Sequence, residues 1–211
     1  MEILKSEQFV NEKLNIKPIT TNDKRLQEPA VSGDIAEFIK NKHLKWNPFS
    51  KSYDCSGDVK IDSSVVNDGK FAIRFGYVKG NFDCSGIELE SLEGAPQKVG
   101  GSFLCSNNAL ISLNDAPQEV GNSFICDDNI LTSLKGAPQK VNGSFSCSNN
   151  KIESLEGVPQ EISGDFYCSD NIRLVSLDGA PKRVGGNLYW VYNPNVALPK
   201  EKPSWLIGKI M

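Results

Sequence analysis

From residue 80 onward the hydrophobic positions of the chain recur at a fixed interval. Cys84, Cys105, Cys126, Cys147 and Cys168 lie 21 residues apart, and Phe82, Phe103, Phe124, Phe145 and Phe166 keep the same register two residues earlier. Around each cysteine the pattern alternates. Phe103 and Cys105 face one way while Ser102, Leu104 and Ser106 face the other, and period two over about five residues predicts a short strand with one buried face. Leu110, Leu113, Pro117 and Val120 complete the unit. Leu113, Leu134, Leu155 and Leu177 form a wall opposite the strands. Pro96, Pro117, Pro138, Pro159 and Pro181 fix φ in the return segment and keep it out of a helix. One such unit cannot bury its own apolar wall, so the units stack into a solenoid with a parallel sheet.

An asparagine follows each strand, at Asn108, Asn129, Asn150 and Asn171. Its amide can bond the backbone groups that the bend after the strand leaves unpaired. The full pattern, F-x-C-S-x-N-x-L-x-S-L-x-G-A-P-x-x-V, resembles the leucine-rich repeat L-x-x-L-x-L-x-x-N-x-L, with Phe and Cys in the two strand leucine positions. The resemblance covers residues 80–197, and the short unit with a proline in its return is similar to bacterial and bacteriophage leucine-rich repeats. It implies a leucine-rich repeat solenoid with a parallel β-sheet on the concave face, an irregular convex side and a short N-terminal cap. Similar repeats occur in secreted bacterial effector ubiquitin ligases, whose separate catalytic domain has no counterpart here. A parallel β-helix with coils of similar length is the alternative. The first unit departs from the pattern at Ile87, which occupies the asparagine position, and the fifth carries one extra residue near Ile172 and Arg173.

The ends of an open stack must differ from its middle. At the C-terminal side Asn187–Tyr192 reads as a last strand, with Trp190 in the cysteine position, and residues 198–211 form a cap carrying Trp205, Leu206, Ile207 and Ile210. At the other side residues 51–79 form a β cap, with strands over 58–62 and 71–77. Residues 1–50 form an arm and an amphipathic helix. Asp34-Ile-Ala-Glu37 has the form of a capping box, and Ile35, Phe38, Ile39, His43 and Leu44 predict a helix over 34–45. A second helix is expected around 6–14 and an extended arm over 17–33. The NEKLNIKPIT run of the arm is similar to N-termini of small proteins of large tailed phages.

Composition narrows the function classes. A hydrophobic share of 39% and a charged share of 23% describe a soluble globular chain. A formal net charge of −3 argues against nucleic acid as a partner, since that needs a concentrated basic face. No run approaches the roughly 20 apolar residues that span a bilayer, and the first residues lack a secretory apolar core, so a cytoplasmic location with reduced thiols is expected. Cysteines in one slot of a stack sit about 4.8 Å apart and point the same way, which is poor disulfide geometry. No C-x-x-C spacing points to zinc. The cysteines are read as small buried hydrophobes, Cys55 as a degenerate sixth member, and no metal or cofactor is expected.

Function should then sit on the outward strand positions. The column between Phe and Cys holds Asp83, Leu104, Ile125, Ser146, Tyr167 and Tyr189; the next two hold Ser85, Ser106, Asp127, Ser148, Ser169 and Val191, then Gly86, Asn107, Asp128, Asn149, Asp170 and Tyr192. Leu104, Ile125, Tyr167, Tyr189 and Tyr192 would place apolar and aromatic groups on an open face, as protein interfaces require. Asp127, Asp128, Asp165 and Asp170 among them favour a protein partner with a neutral to basic surface. The expected function is a non-enzymatic protein-binding scaffold, in a phage setting one that binds or inhibits a host factor. A structural or virion-assembly component is the alternative, and a carbohydrate-active solenoid enzyme a further one. Against catalysis, Asp127 and Asp128 are adjacent in sequence and cannot share acid–base work on one face. The G-G-x-G-x-D spacing of calcium-loaded β-rolls is missing.

Overall fold

The computed structural model describes residues 26–196 and 201–211. The chain divides into two compact units, Met1–Ala30 and Val31–Met211, and the second holds every element described here. The helix expected around 6–14 and most of the arm expected over 17–33 lie outside the described residues.

The Phe-x-Cys segments form one parallel ladder, in the order β3 (Val59–Lys60), β7 (Phe82–Asp83), β9 (Phe103–Leu104), β11 (Phe124–Ile125), β13 (Phe145–Ser146), β15 (Phe166–Tyr167) and β17 (Leu188–Tyr189). Phe82 pairs with Phe103, Phe103 with Phe124, and so on up the stack. The phenylalanine and cysteine side chains of these rungs are fully buried. Neighbouring rings from Phe82 to Phe145 stack with centroids 5.3–5.6 Å apart. Identical shapes in one slot fill the interior without gaps, which is why the sequence repeats so strictly there.

The return segment, expected to be irregular, carries a second ladder. Directly after each proline turn come β8 (Lys98–Val99), β10 (Glu119–Val120), β12 (Lys140–Val141), β14 (Glu161–Ile162) and β16 (Arg183–Val184), all parallel. Each strand is two residues long, too short to show as alternation. The N-terminal side of this sheet adds β6 (Phe75–Val78), β2 (Ser52–Cys55) and, antiparallel, β1 (Lys45–Asn47). Two parallel ladders joined by tight corners make the architecture a β-solenoid.

Cys55 is not a sixth member of the cysteine column. It pairs with Val78 and so occupies the valine slot of the second ladder. Ile61 takes the cysteine position of the first coil, two residues after Val59, and its N–H bonds the Asp83 carbonyl. The cap helix α1 runs over Gly33–Asn41 and stops short of the expected span, because His43 turns into the left-handed region with φ of 53°. Ser32 holds the N-cap without a side-chain bond, so the expected capping box does not form. Phe38 is the side chain that α1 buries. Strands β4 (Val66–Asn67) and β5 (Lys70–Phe71) form a small hairpin within the cap.

At the C-terminal side Trp190 is buried in the cysteine position, as expected. The tail continues the stack in register: Leu206 bridges Val184 and Ile210 bridges Leu188. Trp205 and Met211 therefore extend the two outward columns by one rung.

Candidate functional site

The outward face of the Phe-x-Cys ladder carries most of the residues singled out from sequence. Its middle column runs Lys60, Asp83, Leu104, Ile125, Ser146, Tyr167, Tyr189, each paired in register with the next. Leu104, Ile125, Tyr167 and Tyr189 are half-buried, leaving one flank of each open. The Tyr167 and Tyr189 rings stack 4.3 Å apart and 10° from parallel. The Tyr167 hydroxyl donates to Asp165 Oδ2 at 3.2 Å, and burial together with that carboxylate raises its pKa. Ser146 is buried between its neighbours and donates to Asp127 Oδ1 at 2.5 Å.

On both sides of this ridge run polar columns occupied with holding the coils together. Asp58, Asn81, Ser102, Ser123, Ser144, Asp165 and Asn187 each accept the backbone N–H of the equivalent residue one coil later, at 2.7–3.3 Å. The column after cysteine does the same: Asp127 accepts from Ser148 N at 2.8 Å, Ser148 Oγ from Ser169 N at 3.3 Å, and Ser169 Oγ from Val191 N at 3.2 Å. Asp127 thus has a structural duty shared with the serines of its column. Burial pushes its pKa up, outweighing the two donors that act in the opposite direction.

The third column has a backbone explanation. Gly86, Asn107, Asp128, Asn149, Asp170 and Tyr192 all have φ between 51° and 70°. This left-handed corner favours Gly, Asn and Asp whether or not anything binds there. Asp128 and Asp170 are exposed at these corners, and Asp128 also accepts from Asn149 Nδ2 at 2.5 Å. Tyr192 breaks the rule: a bulky ring in a left-handed corner, 75% exposed. Of the eight candidates, Leu104, Ile125, Tyr167 and Tyr189 therefore form the ridge, as two adjacent pairs separated by the buried Ser146. Asp127 flanks it, and Asp128, Asp170 and Tyr192 line the corner beside it.

Beneath the corner lies the asparagine ladder. Asn150 Nδ2 donates to the carbonyls of Cys126, Cys147 and Ser148 at 3.0–3.2 Å, while its Oδ1 accepts from Leu131 N at 3.0 Å. Asn108, Asn129 and Asn171 donate in the same way. Asn193 is a fifth member, accepting from Asn171 N at 2.9 Å and donating to the Cys168 carbonyl at 2.8 Å. It stands three residues after Trp190, as the other asparagines stand three after their cysteines, but the sequence reading ended the asparagine column at Asn171.

The cysteines supply no chemistry to the surface. The thiols of Cys84, Cys105, Cys126 and Cys147 are directed at the carbonyl of the residue before the next coil's cysteine slot, 3.1–3.6 Å away. Burial raises the pKa of each of these four. Among the described residues no group of three or more His, Cys, Asp or Glu could hold a metal ion. No described helix is long and apolar enough to cross a membrane.

A shallow cleft of about 450 Å³ opens on the other sheet, lined by Asn47, Ser52, Asp54, Arg74, Tyr77 and Lys98 among others. Its polar groups largely satisfy one another. Asp54 accepts from Asn47 Nδ2 at 3.0 Å and from Tyr77 N at 2.7 Å, Ser50 and Ser52 share a 2.7 Å bond, and Lys98 pairs with Glu119.

Comparison with protein-family models, with curated proteins and with solved structures finds no match to this chain.

Proposed function

We propose that the chain is a non-enzymatic scaffold that binds a partner protein through the outward face of its Phe-x-Cys ladder. The observation that carries this reading is the contrast between two outward columns of one fold. On the valine ladder the column follows Tyr77 with five solvated charges, Lys98, Glu119, Lys140, Glu161 and Arg183. On the Phe-x-Cys ladder the corresponding column begins with Lys60 and Asp83 and includes the buried Ser146, but its other four members, Leu104, Ile125, Tyr167 and Tyr189, are aliphatic or aromatic. Free drift on a solvated surface would give both columns similar composition. A row of aromatic and aliphatic groups with a polar surround has the make-up of a protein-binding hot spot. The five rungs from Leu104 to Tyr189, at about 4.8 Å per step, extend it over about 19 Å, which fits within a standard interface patch.

Asp83, Asp127, Asp128, Asp165 and Asp170 surround the ridge, so the partner surface is neutral to basic. Thiols that stay buried and unpaired suit a reducing compartment, and this reading places the protein in a cytoplasm. The asparagine ladder beneath the strand supports kinship with short leucine-rich repeats of the bacterial and phage kind, and with it a role in binding or inhibiting a host factor.

The test is capture from a bacterial lysate with the wild-type chain and with Ile125→Arg and Tyr167→Ala. One stoichiometric protein, lost in both variants while their melting temperatures stay near that of the wild type, is the expected result. Co-purification with particles supports the assembly role instead. Retention of the partner by both variants overturns the assignment of this face.

A further inference from the structure

We infer that the alternating charges of the valine ladder are a register code, which keeps each coil stacked on its sequence neighbour and prevents slippage by one unit. The need for such a code follows from the repeat itself. Five coils share Phe, Cys, Leu, Pro and Val or Ile in the same interior slots, so a coil skipped during folding still meets the same shapes. The asparagine ladder and the side-chain relay of Asn81, Ser102, Ser123, Ser144 and Asp165 are equally indifferent, since every member performs the same bond. The repeated interior shapes and these repeated polar bonds therefore fail to distinguish the native stack from one slipped by a coil, and the bond from Ser146 to Asp127 marks a single junction only. Weakly specified register is the condition for alternative pairing and strand exchange between chains.

The outward column of the valine ladder does distinguish them. Lys98, Glu119, Lys140, Glu161 and Arg183 alternate in sign on successive rungs. Lys98 meets Glu119 at 2.5 Å and Lys140 meets Glu161 at 3.1 Å. A slip of one coil places Lys98 on Lys140, Glu119 on Glu161 or Lys140 on Arg183, turning attraction into repulsion on adjacent strands. Further ion pairs repeat the arrangement. Lys60–Asp83, Lys70–Glu93 and Lys135–Glu156 join residues 21 or 23 apart, so every described ion pair of the stack links one coil to the next. Exposed pairs of this kind add little to stability. Their value lies in the difference between correct and slipped stacks, which is how charges set partner choice along coiled coils.

The experiment uses the full chain in two multiple variants, refolded from urea at low ionic strength. The neutral variant carries Lys98→Gln, Glu119→Gln, Lys140→Gln, Glu161→Gln and Arg183→Gln. The inverted variant carries Lys98→Glu, Glu119→Lys, Lys140→Glu, Glu161→Lys and Arg183→Glu, which preserves alternation. Size-exclusion chromatography reads exchange between chains, and limited proteolysis reads an ejected coil. Wild type and inverted variant are expected to give one protected monomer. The neutral variant is expected to lose that homogeneity, yielding swapped oligomers and monomers nicked within a coil, and wild type refolded at about 1 M salt, where charges are screened beyond roughly 3 Å, should shift toward it. A neutral variant that refolds to one protected monomer overturns the inference. So does an inverted variant that misfolds, because then residue identity and not alternation would matter.

Discussion

Asn150 lies almost wholly inside the stack and makes four hydrogen bonds to backbone groups of two coils, its own and the one before it. Truncation to alanine leaves the Leu131 N–H unpaired, while the Cys126, Cys147 and Ser148 carbonyls each keep one donor, from Asn129 Nδ2, Asn171 Nδ2 and the Asp128 N–H. Asn150→Ala is expected to lower the unfolding free energy by about 1–3 kcal/mol, read from the urea midpoint at unchanged slope. Asp127 gives the opposite sign. Its raised pKa means that the native state holds the proton more tightly than the unfolded chain. The contribution of this carboxyl is therefore present below its unfolded pKa and lost as pH rises through its folded pKa. Asp127→Ser, the residue of the neighbouring rungs, should gain roughly a few tenths of a kcal/mol at pH 7 after allowance for solvent screening, with the gain vanishing near pH 3. Urea titrations at the two pH values check this, and equal effects at both would remove the electrostatic account.

At the scale of the element, the proline turns show how backbone conformation selects residues. The position two before each proline has φ of 92° at Gly94, 97° at Gly136 and 92° at Gly157, and Asp115 occupies the same corner at 64°. Asp115→Gly should raise stability by roughly 0.5–1 kcal/mol, since a left-handed aspartate carries a steric cost that glycine avoids. Gly136→Ala should destabilise, because an added methyl would also collide with the Leu113 carbonyl of the coil below. Paired thermal melts decide both. The same corners mark the limit of what the sequence disclosed. The Phe and Cys columns were legible because interior slots tolerate one shape only, so they repeat visibly. The Asn–Asp column after the strand read as variable surface, yet its members share a torsion angle that no hydrophobicity pattern records. The valine-ladder strands escaped notice because two residues beside a turn cannot alternate, and Cys55 was assigned by residue type where pairing puts it among valines. The ridge residues Leu104, Ile125, Tyr167 and Tyr189 were found because strand alternation alone fixes which way they face.

For the whole molecule, the buried thiols set an upper pH limit. Cys84, Cys105, Cys126 and Cys147 have raised pKa values in the native stack, chiefly through burial. In the unfolded chain they ionise near pH 8.5. Their contribution to stability is full below that value and is lost above it, because only the unfolded state releases protons. Each thiol then costs about 1.4 kcal/mol per pH unit, so the four together remove on the order of 5 kcal/mol between about pH 9 and 10. Urea unfolding at pH 7, 9 and 10 should show this steep fall, and replacement of the four by alanine should flatten it; an unchanged slope would mean that the thiols ionise in place. The sign alternation on the valine ladder carries a consequence for changing the length of the array. Excising 119–139 joins Gln118 to Lys140 and seats two cations side by side, whereas excising 119–160 joins Gln118 to Glu161 and restores an opposite pair. A shortened array should accept the loss of two coils more readily than the loss of one, so the natural module for trimming or extending this protein is the coil pair.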